Sequence, residues 1–276
     1  MAATFPTDRL FLIAGPCVIE GDDLMLRIAD HLARLAERVP GGVIFKASFD
    51  KANRSNVGAH RGPGIEEGLA ALVRVRERTG LPVITDVHLP EQCAMVAGAV
   101  DVLQIPAFLC RQTDLLEAAA ATGKPVNVKK GQWMHPEGMA GAVQKIRAAY
   151  PTASRESQGD CVVAVTERGS FFGYGDLVVD MRNFARLRES CAAPVIFDAT
   201  HSVQRPGLGQ GGASGGAREC IPPLALAACA AGADGLFLET HPDPDRSPSD
   251  GPNMVPLHEL DALIAKCIST WEIARR

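Results

Sequence analysis

The sequence feature that most constrains the fold is a short apolar run followed by a longer amphipathic segment, an alternation that occurs eight times along the chain. The apolar runs, rich in β-branched residues, occupy residues 10–19, 43–49, 82–87, 102–107, 125–130, 161–167, 194–199 and 235–240. Nearly continuous apolar runs of this length are typical of strands buried on both faces, as in parallel sheets. We therefore predict eight parallel strands.

The segments between these runs have the periodicity of helices, with apolar residues on one face and charged residues on the other. They cover residues 23–39, 65–79, 89–98, 113–122, 136–150, 177–191, 217–231 and 256–274. Parallel strands that alternate with helices are joined by right-handed crossovers. Eight such units predict an α/β fold, a (β/α)8 TIM barrel. The alternative is an open doubly wound sheet, which is disfavoured because no GxGxxG follows the first run.

No linker-like stretch divides the chain, so residues 1–276 are predicted to form a single barrel domain. Two stretches rich in Gly and Pro, 202–216 and 242–254, follow the last two strands. Because these positions lie at the catalytic face of a barrel, we predict that both are mobile active-site loops. The polar stretch 150–160 precedes a strand instead, and is predicted to be a surface insertion on the opposite face without a catalytic role.

Charge and cysteine content exclude several classes of protein. The net charge is −4, with both signs interleaved, whereas non-specific binding of nucleic acid needs a basic face. The eight Cys are scattered and form no CxxC pair, which is typical of a reduced cytosolic protein. No signal peptide or membrane-spanning stretch is apparent, so we expect a cytoplasmic protein without nucleic-acid or membrane partners.

Cationic side chains stand at or just after the carboxyl ends of the predicted strands. These ends meet at one face of a barrel, so the following residues are predicted to surround one mouth: Lys46, Lys51, Arg54, Lys129, Lys130 and Arg168. Each residue alone is more often solvated or paired with a carboxylate. Together they would repel one another unless an anion lay among them, and phosphate or carboxylate suits both Arg and Lys. The sequence therefore predicts substrates with several negative charges, such as two phosphates.

A second set at the strand ends is suited to a divalent metal ion: Cys17, His201, Glu239 and Asp250. The first three follow strands one, seven and eight, which become neighbours when a barrel closes. Thiolate, imidazole and carboxylate groups together suit Zn²⁺, Fe²⁺ or Mn²⁺. The spacing carries no metal motif, however, so other interpretations remain open. Cys17 could be a small buried residue, His201 a general base, and Glu239 the partner of a lysine.

Seven strings over nearly the whole chain are similar to one family. They are GPC at 15–17, FKASFDKANRS at 45–55, QIPAFLCRQTDLL at 104–116, NVKKGQ at 127–132, TERG at 166–169, FDATHSVQ at 197–204 and ETHPDPDRSPSD at 239–250. The chain resembles the 3-deoxy-D-manno-octulosonate 8-phosphate synthases. KANRS is the most specific string, because the related 3-deoxy-D-arabino-heptulosonate 7-phosphate synthases have KPRTS there. Asn53 thus favours an enzyme that uses arabinose 5-phosphate.

The resemblance implies that phosphoenolpyruvate, D-arabinose 5-phosphate and water give 3-deoxy-D-manno-octulosonate 8-phosphate and inorganic phosphate, a step towards lipopolysaccharide. Phosphoenolpyruvate would be held by Lys46, Lys51, Gln104, Lys129 and Arg168, and the aldose phosphate by Asn53, Arg54 and Ser55. Phe108 and Lys130 are also expected to contact substrate. Arg111 would reach the aldose phosphate of an adjacent subunit, since the family is tetrameric. The residues expected to act in catalysis are Lys46, Lys51, Asp86, Lys129, Asp198 and His201.

The resemblance also bears on the metal. In the family, the metal-dependent type has Cys after the first strand and the metal-independent type has Asn. Cys17 therefore implies one divalent ion, of unspecified identity, held with His201, Glu239 and Asp250. Two other functions stay open: a heptulosonate 7-phosphate synthase that uses erythrose 4-phosphate, and a non-catalytic barrel that binds sugar phosphates.

Overall fold

The computed structural model describes residues 5–54, 57–152, 162–171, 175–205 and 215–276. Eight parallel strands form the barrel, and a ninth strand of two residues, Val255–Pro256, pairs with the end of the last of them. The barrel strands are β1 Phe11–Gly15, β2 Val43–Lys46, β3 Val83–Asp86, β4 Val102–Ile105, β5 Val126–Lys129, β6 Val163–Glu167, β7 Val195–Asp198 and β8 Gly235–His241. Each strand pairs with the next in chain order, and β8 also pairs with β1, where Phe11 lies beside Gly235 and Gly15 beside Glu239. The sheet is closed, and the predicted (β/α)8 barrel is confirmed.

Eight helices surround the barrel: α1 Asp22–Ala36, α2 Ile65–Thr79, α3 Pro90–Ala99, α4 Thr113–Ala121, α5 Ala140–Ala149, α6 Asn183–Cys191, α7 Ile221–Ala230 and α8 Leu257–Ala274. Helix α1 shows why these segments are helical. Its buried residues Met25, Ile28, Ala29, Leu32 and Leu35 recur at intervals of three and four, which gives one apolar stripe against the strands. Every predicted strand and helix position is occupied by an element of the predicted type along at least half of its length.

Three predicted helices begin at least four residues later than the sequence pattern indicated. The segment 136–150 opens with a 3-10 turn at Pro136–Met139, and its α-helix starts at Ala140. In the segment 177–191, residues Leu177–Val178 form a short strand antiparallel to Ser170–Phe171, and the helix starts only at Asn183. The prediction of a helix over residues 177–182 is therefore wrong, because pairing with the preceding turn replaces helical hydrogen bonds there. Helix α7 starts at Ile221 and not at 217, since Pro222 and Pro223 fit only the first turn of a helix.

The inside of the barrel is apolar towards its amino end. One cluster of buried side chains fills this part: Phe5, Phe11, Ile13, Ile44, Ile84, Val102, Ala164, Ile196 and Phe237. Phe5 precedes the first strand and packs against Phe11, with ring centroids 6.0 Å apart, so it closes the amino end of the barrel. The polar groups at the carboxyl end of the barrel therefore lie above this apolar cluster, which forms an apolar floor.

The two predicted active-site loops are described to different extents. Residues 242–254 form two short 3-10 turns, Pro244–Arg246 and Gly251–Asn253, and the Arg218 guanidinium donates to Gly251 O at 2.7 Å. Of 202–216, the part 206–214 lies outside the described residues, as do Ser55 and residues 153–160 of the predicted insertion. Within the described ranges, no helix is long and apolar enough to cross a membrane.

Candidate active site

Six buried polar side chains form a layer above the apolar floor, at the carboxyl ends of the strands: Lys46, Asp86, Gln104, Lys129, Asp198 and Glu239. They point inward because alternate residues of a strand face the same side, as Phe237 and Glu239 on β8 do. The Lys129 ammonium lies 3.1 Å from the centroid of the Phe237 ring. This cation–π contact joins the polar layer to the floor.

Lys46 connects three strand ends. Its Nζ donates to Glu239 Oε1 at 3.1 Å and to Cys17 O at 3.2 Å, and lies 3.7 Å from Asp86 Oδ2. Lys51 Nζ lies 3.9 Å from the same Glu239 oxygen. Burial by itself would raise the pKa of Glu239, but the charges of the two lysines and of His201 lower it below its usual range. Glu239 is thus an anion in a cationic surrounding.

A chain of hydrogen bonds runs around the barrel from β3 to β6. Gln104 Nε2 donates to Asp86 Oδ1 at 2.7 Å, and Gln104 Oε1 accepts from Asn127 Nδ2 at 2.9 Å. Thr166 Oγ1 donates to Asn127 Oδ1 at 2.7 Å, and Ser48 Oγ donates to Asp86. Ser48, Asn127 and Thr166 were not predicted as site residues. These residues could have been recognised in the sequence as polar residues at inward-facing positions of otherwise apolar runs.

Asp198 holds both Lys129 and His201. Its carboxylate accepts from the Lys129 ammonium, from the His201 backbone N–H at 2.8 Å, and from His201 Nδ1 at 2.7 Å. Burial would raise the pKa of Asp198, but His201 and Lys129 hold it well below its ordinary value. Burial lowers the pKa of Lys129 to about 8 even though Asp198 acts against it. With Nδ1 bonded to Asp198, only Nε2 of His201 is free to bind a ligand.

Cys17, Glu239 and Asp250 bring ligand atoms within 4.8 Å of one another, an arrangement that could hold a metal ion. His201 Nε2 lies 3.6 Å from Glu239 Oε1, so the fourth predicted ligand borders the same space. Glu239 Oε2 is buried and has no hydrogen-bond partner among the described residues. A buried carboxylate oxygen without a donor is costly, and a cation would satisfy it. The three donors of Cys17, Glu239 and Asp250 therefore could hold a divalent ion, and the predicted participation of His201 stays a prediction.

The surroundings of these donors favour the same interpretation. Burial and the neighbouring Glu239 raise the pKa of the Cys17 thiol well above its ordinary value, so the thiolate needs a cation to form. Ser249 Oγ lies 2.9 Å from Cys17 Sγ, and Gln204 Nε2 donates to Asp250 Oδ1 at 3.0 Å. Polar contacts of this kind orient the ligands of metal sites. The sequence analysis did not single out Ser249 or Gln204 as site residues.

Arg168 presents a free cationic group next to this site. Its Nη2 donates to Gln204 Oε1 at 2.6 Å, whereas its Nη1 is buried and has no hydrogen-bond partner in the part of the chain that the structure describes. A buried guanidinium nitrogen without an acceptor is suited to an anion that shares the space. Since Gln204 also bonds Asp250, one side chain links the free arginine to the candidate metal ligands.

The remaining predicted substrate contacts lie farther out. Arg54 Nη2 donates to Ser249 Oγ at 2.8 Å, which places this cation beside the candidate metal ligands. Asn53, Phe108 and Arg111 are exposed at the rim. The three rim residues therefore do not join the buried group, and their predicted roles stay predictions.

Lys130 does not join the cations at the mouth. Its side chain is fully buried, and its ammonium contacts Gly131 O, Met134 O and Gly169 O, each at 3.3 Å. Lys129 and Lys130 are adjacent, so their side chains point to opposite faces of the sheet, and only Lys129 faces the barrel interior. The position of Lys130 argues against the predicted contact with substrate.

The chain is similar to known proteins along nearly its whole length. The model of the DAHP synthetase I family matches residues 6–274. A protein of Nitrobacter hamburgensis named 2-dehydro-3-deoxyphosphooctonate aldolase is 54% identical over 275 residues, which cover 99% of this chain and 92% of that protein. Proteins of the same name from Bradyrhizobium diazoefficiens and Nitratidesulfovibrio vulgaris are 54% and 52% identical, each over 96% of this chain and over 90% and 93% of their own lengths.

Proposed function

The chain belongs to the DAHP synthetase I family, as one of its 2-dehydro-3-deoxyphosphooctonate aldolases, and we propose that it condenses phosphoenolpyruvate with D-arabinose 5-phosphate and water. The products are 3-deoxy-D-manno-octulosonate 8-phosphate and inorganic phosphate. The observation that carries this proposal is the identity of 54% with a relative of that name over 99% of the chain. Buried cations with an unpaired guanidinium nitrogen at the barrel mouth suit the anionic substrates.

In this reaction, carbon 3 of phosphoenolpyruvate attacks the aldehyde carbon of the aldose. Water adds to carbon 2, and phosphate leaves as its bond from that carbon to oxygen breaks. We propose that Lys129 and Arg168 bind the negative charges of phosphoenolpyruvate, which the burial of Lys129 and the unpaired Nη1 of Arg168 support. Fixed cations also stabilise charge that builds up during the attack without having to reorganise. The contact of Arg54 with Ser249, nearer the rim, supports a role for Arg54 in binding the aldose phosphate.

Cys17, His201, Glu239 and Asp250 would hold one divalent ion, which as a Lewis acid would polarise a substrate oxygen or lower the pKa of a water molecule. Asp198 fixes the imidazole of His201 with Nε2 towards Glu239. The Lys129 ammonium is paired with the same Asp198 carboxylate. Asp198 thus couples the candidate metal ligands to the phosphoenolpyruvate site through a single side chain.

The test is release of phosphate from phosphoenolpyruvate with arabinose 5-phosphate or erythrose 4-phosphate as acceptor. We expect release with the five-carbon aldose and much slower release with erythrose 4-phosphate. The reverse preference would establish the heptulosonate 7-phosphate synthase alternative. No release with either aldose, together with tight binding of both sugar phosphates, would support the non-catalytic barrel.

We also propose that copies of the chain assemble through an aromatic rim formed by Phe108, Trp133 and Phe171. These side chains follow the neighbouring strands β4, β5 and β6, and each is about half exposed. The rings of Phe108 and Trp133 contact each other in a tilted arrangement, with centroids 5.2 Å apart. Exposed aromatic groups that contact one another are typical of protein interfaces. Arg111 is exposed on the segment that follows Phe108, so a second copy docked here is suited to receive it at its aldose site.

The rim predicts the effect of a double substitution. The parent is expected to have a mass near four times the 29.2 kDa of one chain in size-exclusion chromatography with light scattering. Phe108→Ser with Trp133→Ser should shift the mass towards smaller species, because the apolar contact is lost. Ile273→Ser is the matched control, since it removes an exposed apolar side chain from the last helix. A monomeric parent, or a double variant that remains tetrameric, would contradict the proposal.

A further inference from the structure

The most heavily contacted buried cation outside the mouth is Lys130. In addition to three carbonyl oxygens, its ammonium contacts Ser170 Oγ at 3.1 Å and lies 3.5 Å from Glu167 Oε1. These partners belong to two different loops, the one after β5 and the one after β6. Backbone bonding joins the same two loops, because Phe171 N donates to Gln132 O at 2.9 Å. Lys130 therefore ties the two loops together from within.

Glu167 is the counter-charge of Lys130 and also shapes the turn that carries Arg168. Both side chains are fully buried. Glu167 Oε1 accepts the backbone N–H groups of Arg168 at 3.0 Å and of Gly169 at 2.6 Å. Its Oε2 accepts from Asn183 Nδ2 at 2.9 Å, at the start of α6. The Glu167 carboxylate thus fixes the backbone conformation at Arg168, the residue that carries the free guanidinium nitrogen.

The Lys130 charge has a further consequence for Arg168. Glu167 directly precedes Arg168 in the chain, and its negative charge acts against the burial that lowers the pKa of the Arg168 guanidinium. Without a counter-charge of its own, this buried anion would attract a neighbouring cation with a free donor, because an unpaired charge in the interior is costly. Arg168 is such a cation, since its Nη1 has no hydrogen-bond partner among the described residues. Lys130 removes that competition by neutralising Glu167.

We propose that Lys130 and Glu167 form a positioning clamp, which keeps the Arg168 guanidinium directed into the barrel mouth and available to an anionic substrate. The proposal rests on the proposed function in one respect, namely that Arg168 binds phosphoenolpyruvate. Neither clamp residue touches substrate. Both act through Arg168, so they are positioning residues and not catalytic ones.

The clamp predicts a pattern in three variants that direct substrate binding by Lys130 would not produce. Lys130→Met leaves Glu167 unneutralised, so the KM for phosphoenolpyruvate should rise about a hundredfold, the scale of a misplaced binding group. The KM for the aldose should stay within about twofold of the parent's value, because in this proposal Arg168 binds phosphoenolpyruvate and not the aldose. Glu167→Gln keeps an oxygen for the two N–H groups and should change both constants little.

The decisive variant combines Lys130→Met with Glu167→Gln. With both charges removed, no anion competes for Arg168, and the KM for phosphoenolpyruvate should return to that of Glu167→Gln alone. A double variant as weak as Lys130→Met would mean that Lys130 binds substrate directly, and would overturn the clamp. If Lys130→Met does not fold, the double variant and Glu167→Gln still make the comparison. Lys266→Met, which removes an exposed lysine from α8, is the control.

Two measurements separate the clamp from the proposed function. Calorimetric titration with phosphoenolpyruvate alone reports on Arg168 whichever aldose the enzyme uses. If the parent binds no phosphoenolpyruvate, the proposed function fails, and crystal structures of the parent and of Lys130→Met then judge the clamp. We expect the Arg168 guanidinium to turn towards Glu167 in the variant. An unchanged Arg168 side chain would overturn the proposal.

Discussion

Chelation of the purified protein is expected to lower phosphate release by about a thousandfold, with recovery on addition of Mn²⁺ or Zn²⁺. The size follows from the several kcal/mol that a Lewis acid contributes to charge stabilisation, at tenfold in rate for about 1.4 kcal/mol. The structural basis is the group of Cys17, Glu239 and Asp250, with a buried oxygen of Glu239 that lacks a donor. Elemental analysis should find about one divalent ion per chain before chelation and none afterwards.

Substitution of the thiol tests the same site without a chelator. Cys17→Asn should remove the tightly bound ion, because the thiolate ligand is lost, and the remaining activity should be insensitive to chelation. Cys220→Ser, at a partly exposed cysteine on the turn before α7, should keep the parent's metal content. If Cys17→Asn bound metal as tightly as the parent, the ligand assignment would be wrong. If the parent stayed active after complete removal of metal, a catalytic role of the site would be contradicted.

Lys129→Met is expected to lower kcat/KM for phosphoenolpyruvate by about a thousandfold. The substitution removes a cation from the mouth that is hydrogen-bonded to Asp198. Loss of one fixed donor to the charge that develops in the transition state costs about 2.7–4 kcal/mol, or about 10²–10³ in rate. Steady-state kinetics should show the loss mainly in the constants for phosphoenolpyruvate. Lys266→Met should resemble the parent. A loss below about tenfold would mean that Lys129 does not bind this substrate.

The pH dependence of binding provides an independent measurement for Lys129. Burial lowers its pKa to about 8 in the ligand-free protein, so the ammonium that attracts the anion predominates below this pH and the neutral amine above it. Binding of phosphoenolpyruvate should therefore weaken as the pH rises from about 7 to about 9.5, by up to about tenfold per unit above the pKa. Lys51 stays charged over this range, because the carboxylates of Glu239, Asp86 and Asp250 act against burial and raise its pKa.

Lys129→Arg is the matched variant for this dependence. Arginine keeps its charge in proteins at any pH used here, so binding to this variant should be nearly independent of pH over the same range. Calorimetry at several pH values measures both proteins under identical conditions. If the parent showed the same flat profile as Lys129→Arg, the lowered pKa of Lys129 would be contradicted.

The sequence predicted those properties that depend on the local pattern of the chain. Strand and helix periods are set by backbone geometry, so the eight units and the barrel followed from residue spacing alone. Parallel strands place their carboxyl ends at one face, and this predicted that Lys46, Lys129 and Arg168 would lie near one mouth. The same reasoning placed Cys17 near Glu239, because closure pairs the first strand with the last.

Contacts between distant parts of the chain were decided by the tertiary structure. Adjacent lysines at 129 and 130 look alike in sequence, but the strand register directs the first into the barrel and buries the second against the loop carbonyls. Residues 177–178 are a strand and not a helix because they pair with residues 170–171. Ser249 approaches Cys17 across 232 positions of sequence. Periodicity is a property of neighbouring residues, whereas the partner of a buried polar group depends on how the closed barrel brings separate segments together.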